Sequence, residues 1–129
     1  AIGYISETNN PNKILEECQK KDIPILAIRA VQAGALTSSM DRKPNSLGFD
    51  EADFRDFEKA LPFRKFAEEI SETPASLAHR YALSIDQVGS VILGVKNRKE
   101  LIECIEAEEK GLLDEDVMSN LEKLFKNME

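Results

Sequence analysis

Apolar residues recur along this chain in two rhythms: short unbroken runs, and stripes at helical spacing that open on a capping residue and proline. The first stripe follows Asn10-Pro11, where Ile14, Leu15 and Cys18 share one face and Lys20 and Lys21 complement the helix end. The run Ile23 to Ile28 comes next and predicts a parallel strand covered on both faces, with Pro24 tolerable near its start and the strand ending at Arg29. Phe54, Phe57, Leu61, Phe63, Phe66, Ala67 and Ile70 return to the helical period, and Pro62 forces a break between two segments. Thr73-Pro74 opens an unusually apolar helix through Ala75, Leu77, Ala78, Tyr81, Ala82 and Leu83, which Ser84 ends.

Val88 to Leu93 supplies a second interior strand, and Asn97 with Glu100 gives a capping-box-like start to a helix ending near Gly111. Asp114 caps the last helix; Leu113 and Met118 can staple its start, and Val117, Leu121, Leu124 and Phe125 form its stripe. Between Ser38 and Gly48 the composition of Ser, Asp, Lys, Pro, Asn and Gly marks an irregular loop. Ala1 to Ser6 reads as a strand without an initiator Met, which suggests a segment upstream. Strands alternating with helices force parallel pairing with helical crossovers, so the expected class is α/β.

With 129 residues and 42% hydrophobic content, the chain can bury one core as a single domain spanning 1–129. The net charge of -7 disfavours nucleic acid and anionic membranes as partners, because both are bound through a surplus of Lys and Arg. No apolar stretch approaches the ~20 residues that span a bilayer. Cys18 and Cys104 make no metal-ligand spacing and are expected as free thiols, which together with the absence of a targeting segment points to the cytoplasm.

Against this acidic background the cluster Lys96, Arg98 and Lys99 stands out, because it falls where a strand, the turn at Gly94 and a helix start meet. Helix N-termini carry unpaired N–H groups and partial positive charge, so this is a place to hold a phosphate. Cationic side chains in a helix's first turn oppose its dipole by about 0.3–1 kcal/mol each, a further reason to expect an anion there. The other strand end, Arg29 to Thr37, is built of small residues that permit close backbone approach. Ligands in parallel α/β proteins gather at such carboxyl ends. His79, the single histidine, sits in the apolar helix and reads as structural; no catalytic or metal-binding constellation emerges. The paired glutamates read as solvated faces and caps.

Three segments resemble the C-terminal part of the aldo/keto reductases. Thr73-Pro74-Ala75-Ser76-Leu77-Ala78-His79-Arg80-Tyr81-Ala82-Leu83 is similar to the family's Thr-Pro-Ala-x-Leu-Ala-x-Arg-x-x-Leu helix. Gly34 and Leu36 keep the close of a Ser-Pro-Leu-x-x-Gly-x-Leu motif whose opening is changed to Arg29-Ala30-Val31. Gly94, Lys96 and Glu103 fit the segment Ile-Pro-Gly-x-(Arg/Lys/Ser)-x-x-x-Gln-x-x-Glu-Asn, from which Glu100 and Cys104 depart.

The resemblance implies a partial TIM-type (β/α)8 barrel, about the last three βα units of an NAD(P)H-dependent carbonyl reductase. It implies NADP, with NAD possible, as cofactor. Gly94 and Lys96 would lie at the adenosine phosphate, Glu100, Glu103 and Cys104 near adenine and ribose, and Arg29, Val31, Gln32 and Gly34 along the pyrophosphate. Cys104 loses an amide's donor and acceptor, and Glu100 brings negative charge toward a phosphate. The family's catalytic Asp, Tyr, Lys and His belong to the first half of the barrel, so none is carried over and the chain alone is expected to be inactive. An open sheet edge and bare face predict association with a missing N-terminal half or a second copy. Two other readings stay open: a non-enzymatic α/β interaction module, and a helix-turn-helix over Ser71 to Val95, which lacks the basic residues a recognition helix needs.

Overall fold

The structure is a computed structural model that describes residues 11–38 and 51–128. The strand expected at Ala1 to Ile5, the Asn10 cap and nearly all of the Ser38 to Gly48 loop lie outside the described residues.

Proline and capping residues set the helix starts as expected. Helix α1 spans Pro11–Lys20, α2 Glu51–Lys59, α3 Leu61–Glu69, α4 Pro74–Leu83, α5 Arg98–Glu109 and α6 Glu115–Met128. The break between α2 and α3 falls at Ala60, with Pro62 in the first turn of α3, where a missing N–H costs no helical bond. Thr73 accepts a hydrogen bond from the Ser76 amide at the start of α4, and Asn97 accepts one from the Glu100 amide at the start of α5.

Two strands, β1 Ile25–Ile28 and β2 Val88–Ile92, pair in parallel, as the alternation required. Leu26 faces Ser90, Ala27 faces Val91 and Ile28 faces Ile92, with an irregularity between Ile25 and Leu26 that leaves Gly89 as the extra residue. The first strand starts two residues later than expected. The reason is the end of α1: the Ile23 amide donates to the Cys18 carbonyl at 2.9 Å across a left-handed Asp22 (φ 51°), so Ile23 serves to close the helix.

The core lies among helices. Leu36, Ala60, Phe63, Ala67, Leu77, Ala78, Leu113 and Leu121 are buried together from the loop after β1, α3, α4 and the α6 region. Phe125 stacks on Phe63 at 6.0 Å and meets Tyr81 edge-on at 5.1 Å. Leu113 is buried and Met118 packs on the same cluster, so the anticipated pair at the start of α6 is in the core.

The expectation that both strands are covered on both faces is corrected. Leu26, Ile28 and Ile92 share one face and are 60%, 66% and 54% exposed. Ala27 and Val91 point the other way and are half-buried, with α4 packed on β2. A parallel strand's unbroken apolar run demands two covering layers. Among the described residues the sheet has one.

Helix α4 is tied to the turn between α5 and α6 by Arg80. Its Nε donates to the Gly111 carbonyl at 2.9 Å, one terminal nitrogen to Leu112 at 3.1 Å, and the other to Glu72 at 2.6 Å. Glu72 also accepts from Lys110 at 2.9 Å. Gly111 takes φ +77° just past α5, a left-handed closure that suits glycine.

Candidate functional site

A cleft of about 440 Å3 opens at the carboxyl ends of β1 and β2. Its first wall is the loop that leaves β1. Arg29, Gln32, Ala33 and Gly34 all take positive φ (58°, 47°, 53° and 99°), and three of them are not glycine. Left-handed non-glycine residues cost on the order of 1–3 kcal/mol each and persist only where surrounding contacts impose them. Those contacts are present. The Gln32 amide donates to the Arg29 carbonyl at 2.8 Å, the Gly34 amide to Val31 at 2.9 Å, and Arg64 to the Ala35 carbonyl at 3.0 Å. Arg64 lies 3.8 Å above the Phe57 ring, and burial lowers its pKa from the ordinary arginine value.

The second wall is the exit of β2 and the first turn of α5. Gly94 lines it, and a Cβ built there would meet nothing within 4 Å, so protein packing does not require a glycine at this position. Lys96, Asn97 and Lys99 follow along the same wall. Glu100 folds its carboxylate back over the helix start. One oxygen accepts the Lys96 amide at 2.7 Å and the other accepts the Asn97 side-chain amide at 3.3 Å. This is a capping box displaced by one residue, because the reaching carboxylate takes the amide before the cap.

The third wall comes from α4 and α5: Ala75, His79, Glu103 and Cys104. The Glu103 carboxylate accepts the Thr73 hydroxyl. His79 is 6% exposed, its Nε2 lies 3.3 Å from the Cys104 Sγ, and its Nδ1 is buried without a protein partner. Burial lowers the His79 pKa, against a smaller upward pull from Glu103, and so keeps the ring neutral at pH 7. The Cys104 thiol is pushed up by burial and then by Glu103 and Glu100. The pair is therefore a neutral thiol beside a neutral imidazole, unlike the thiolate of a nucleophile.

Of the residues singled out from sequence, Arg29, Val31, Gly34, Gly94, Lys96, Glu100, Glu103 and Cys104 all line this cleft. Gln32, expected along the pyrophosphate, does not line the cleft. It is buried, and its side-chain amide donates to Asp56 at 3.1 Å, because the left-handed turn swings it toward α2. His79 lines the cleft although the sequence marked it only as structural. The available signal was its i, i+4 relation to Ala75, which puts both on one stripe of α4. Both cysteines are free, as their spacing predicted.

Among the described residues no group of three or more His, Cys, Asp or Glu side chains is placed to hold a metal ion, and no helix is long and apolar enough to cross a membrane. No curated protein matches the chain. The sequence model of the Aldo/keto reductase family matches residues 4–126.

Proposed function

Because the chain belongs to the aldo/keto reductase family, we propose that the cleft at the ends of β1 and β2 holds the adenosine and pyrophosphate end of a nicotinamide dinucleotide. The family carries an oxidoreductase-type function on a TIM-type barrel, and two parallel strands with flanking helices are consistent with part of one. The observation that carries the reading is convergence. Eight residues chosen from two separate sequence segments line one cleft, at the strand ends where parallel α/β folds bind ligands.

When bound, the dinucleotide supplies a hydride for the carbonyl carbon of an aldehyde or ketone. This chain's residues hold and orient the distant end. Arg29, with the small residues Ala30, Ala33 and Gly34, borders the pyrophosphate with positive charge and close backbone approach. Gly94, Lys96 and Lys99 border the adenosine, with open space beside Gly94 where a Cβ would meet nothing within 4 Å. Glu103 is held by Thr73, and Cys104 by His79, so the wall facing the ribose and adenine is fixed before binding. The proton donor and the groups that orient the carbonyl belong, in this proposal, to other strands of the barrel, so this chain binds without turnover.

The test is titration of the intact chain with NADH and with NADPH at low ionic strength, following nicotinamide fluorescence. Saturable binding of either supports the reading; no change with both removes it.

A second reading rests on the sheet face carrying Leu26, Ile28 and Ile92, each more than half exposed. Such a patch favours contact with the rest of a barrel or with a second copy of the chain. Sedimentation velocity on the isolated chain measures this directly, and a purely monomeric species rejects self-association.

A further inference from the structure

Resting on the cleft reading above, we propose that Glu100 makes this site select a dinucleotide whose adenosine ribose bears a free 2′-hydroxyl over one bearing a 2′-phosphate. One donor that a phosphate at the start of α5 would draw on is the Lys96 amide, next to the Asn97 cap. It is already committed to the Glu100 carboxylate at 2.7 Å, and the Asn97 side chain holds the other oxygen at 3.3 Å. The helix N-terminus thus carries its own anion.

A second anion brought to the same place must either displace that carboxylate from both donors or sit beside it. Displacement exposes the helix start again; adjacency sets a phosphate near a carboxylate on the cleft wall. A ribose diol meets neither obstacle. A carboxylate offers about four acceptor positions, of which Lys96 and Asn97 use two, so the remainder can accept the ribose hydroxyls. A phosphate dianion has no proton to donate and adds charge, and the same residue therefore attracts one ligand and repels the other. Arg29 brings positive charge to the pyrophosphate common to both dinucleotides, while Lys96 and Lys99 stand on the adenosine wall beside Glu100.

The experiment compares NADH with NADPH on the intact chain and on Glu100→Gln, an isosteric change that keeps an oxygen for the Lys96 amide. One negative charge within about 5 Å of a phosphate in a solvent-open cleft corresponds to roughly tenfold to hundredfold in affinity. The original chain is expected to favour NADH by at least about tenfold, and E100Q to lose or reverse that preference. Equal or tighter binding of NADPH by the original chain overturns the proposal while leaving the cleft reading intact, as does an unchanged ratio in folded E100Q. If neither dinucleotide binds, both fall. Should E100Q fail to fold, the preference of the original chain decides alone.

Discussion

Replacing Arg80 by methionine keeps most of the aliphatic stem and removes the guanidinium that joins α4 to the turn between α5 and α6. The Arg80 and Glu72 side chains are only 14% and 11% exposed and meet at 2.6 Å. Breaking a fully buried pair costs about 3–5 kcal/mol, because it strands the remaining charge. Here Glu72 keeps Lys110 at 2.9 Å, and the Leu112 carbonyl belongs to an exposed residue that water can reach. The Gly111 carbonyl loses its 2.9 Å donor. The expected loss is therefore about 2–3 kcal/mol, a large share of the 5–15 kcal/mol typical of a domain. Urea unfolding followed by far-ultraviolet circular dichroism measures it, as a lower midpoint at unchanged slope. Glu72→Gln alone and combined with R80M completes a double-mutant cycle, with a coupling of about 1–2 kcal/mol expected. A loss below about 1 kcal/mol, the range of exposed ion pairs, refutes the clamp.

Leu77→Ala removes a fully buried side chain from the center of the helical core and should cost about 2–5 kcal/mol by the same measurement. Stability should fall as pH drops below about 6.5, because the unfolded chain protonates His79 there while the folded chain, with its lowered pKa, does not. That part of the slope should vanish in His79→Phe. Glu72 adds a second loss at lower pH. Burial alone would raise its pKa, but the hydrogen bond from Lys110 and the charges of Lys110 and Arg80 hold it below the usual value. Its contribution is complete above about pH 4.3 and disappears as pH falls through the folded pKa, so Glu72→Gln should flatten the acid limb. Iodoacetamide at neutral pH should label the half-buried Cys18 well before Cys104, whose thiol is buried and pushed up. Equal labelling rates, read by mass spectrometry of the folded chain, contradict that account.

Helix boundaries and strand direction were legible locally because they rest on local chemistry. Pro74 after Thr73, Asn97 before a helical stripe and Gly111 after one act through bonds spanning a few residues. Parallel pairing followed from the crossover length, and the family followed from motifs that survive in the chain. The positions of Gly94, Glu103 and Cys104 around one cleft were legible through those motifs. Gln32 was not. No glycine at positions 29, 32 or 33 announces a left-handed loop, and the contact of Gln32 with Asp56 across 24 positions holds that side chain inward.

The amino-acid order by itself determined the alternation of strand and helix and the parallel pairing, since capping, periodicity and crossover length act within one element or between neighbors; the candidate ligand residues came through the resemblance of its motifs to the family's. Tertiary structure decided which sheet face lies bare, that His79 meets Cys104 across 25 positions, and that Gln32 meets Asp56 across 24. These depend on the relative rotation of packed elements. A rotation about a helix axis changes every side-chain neighbor while leaving the periodic pattern in the sequence unchanged.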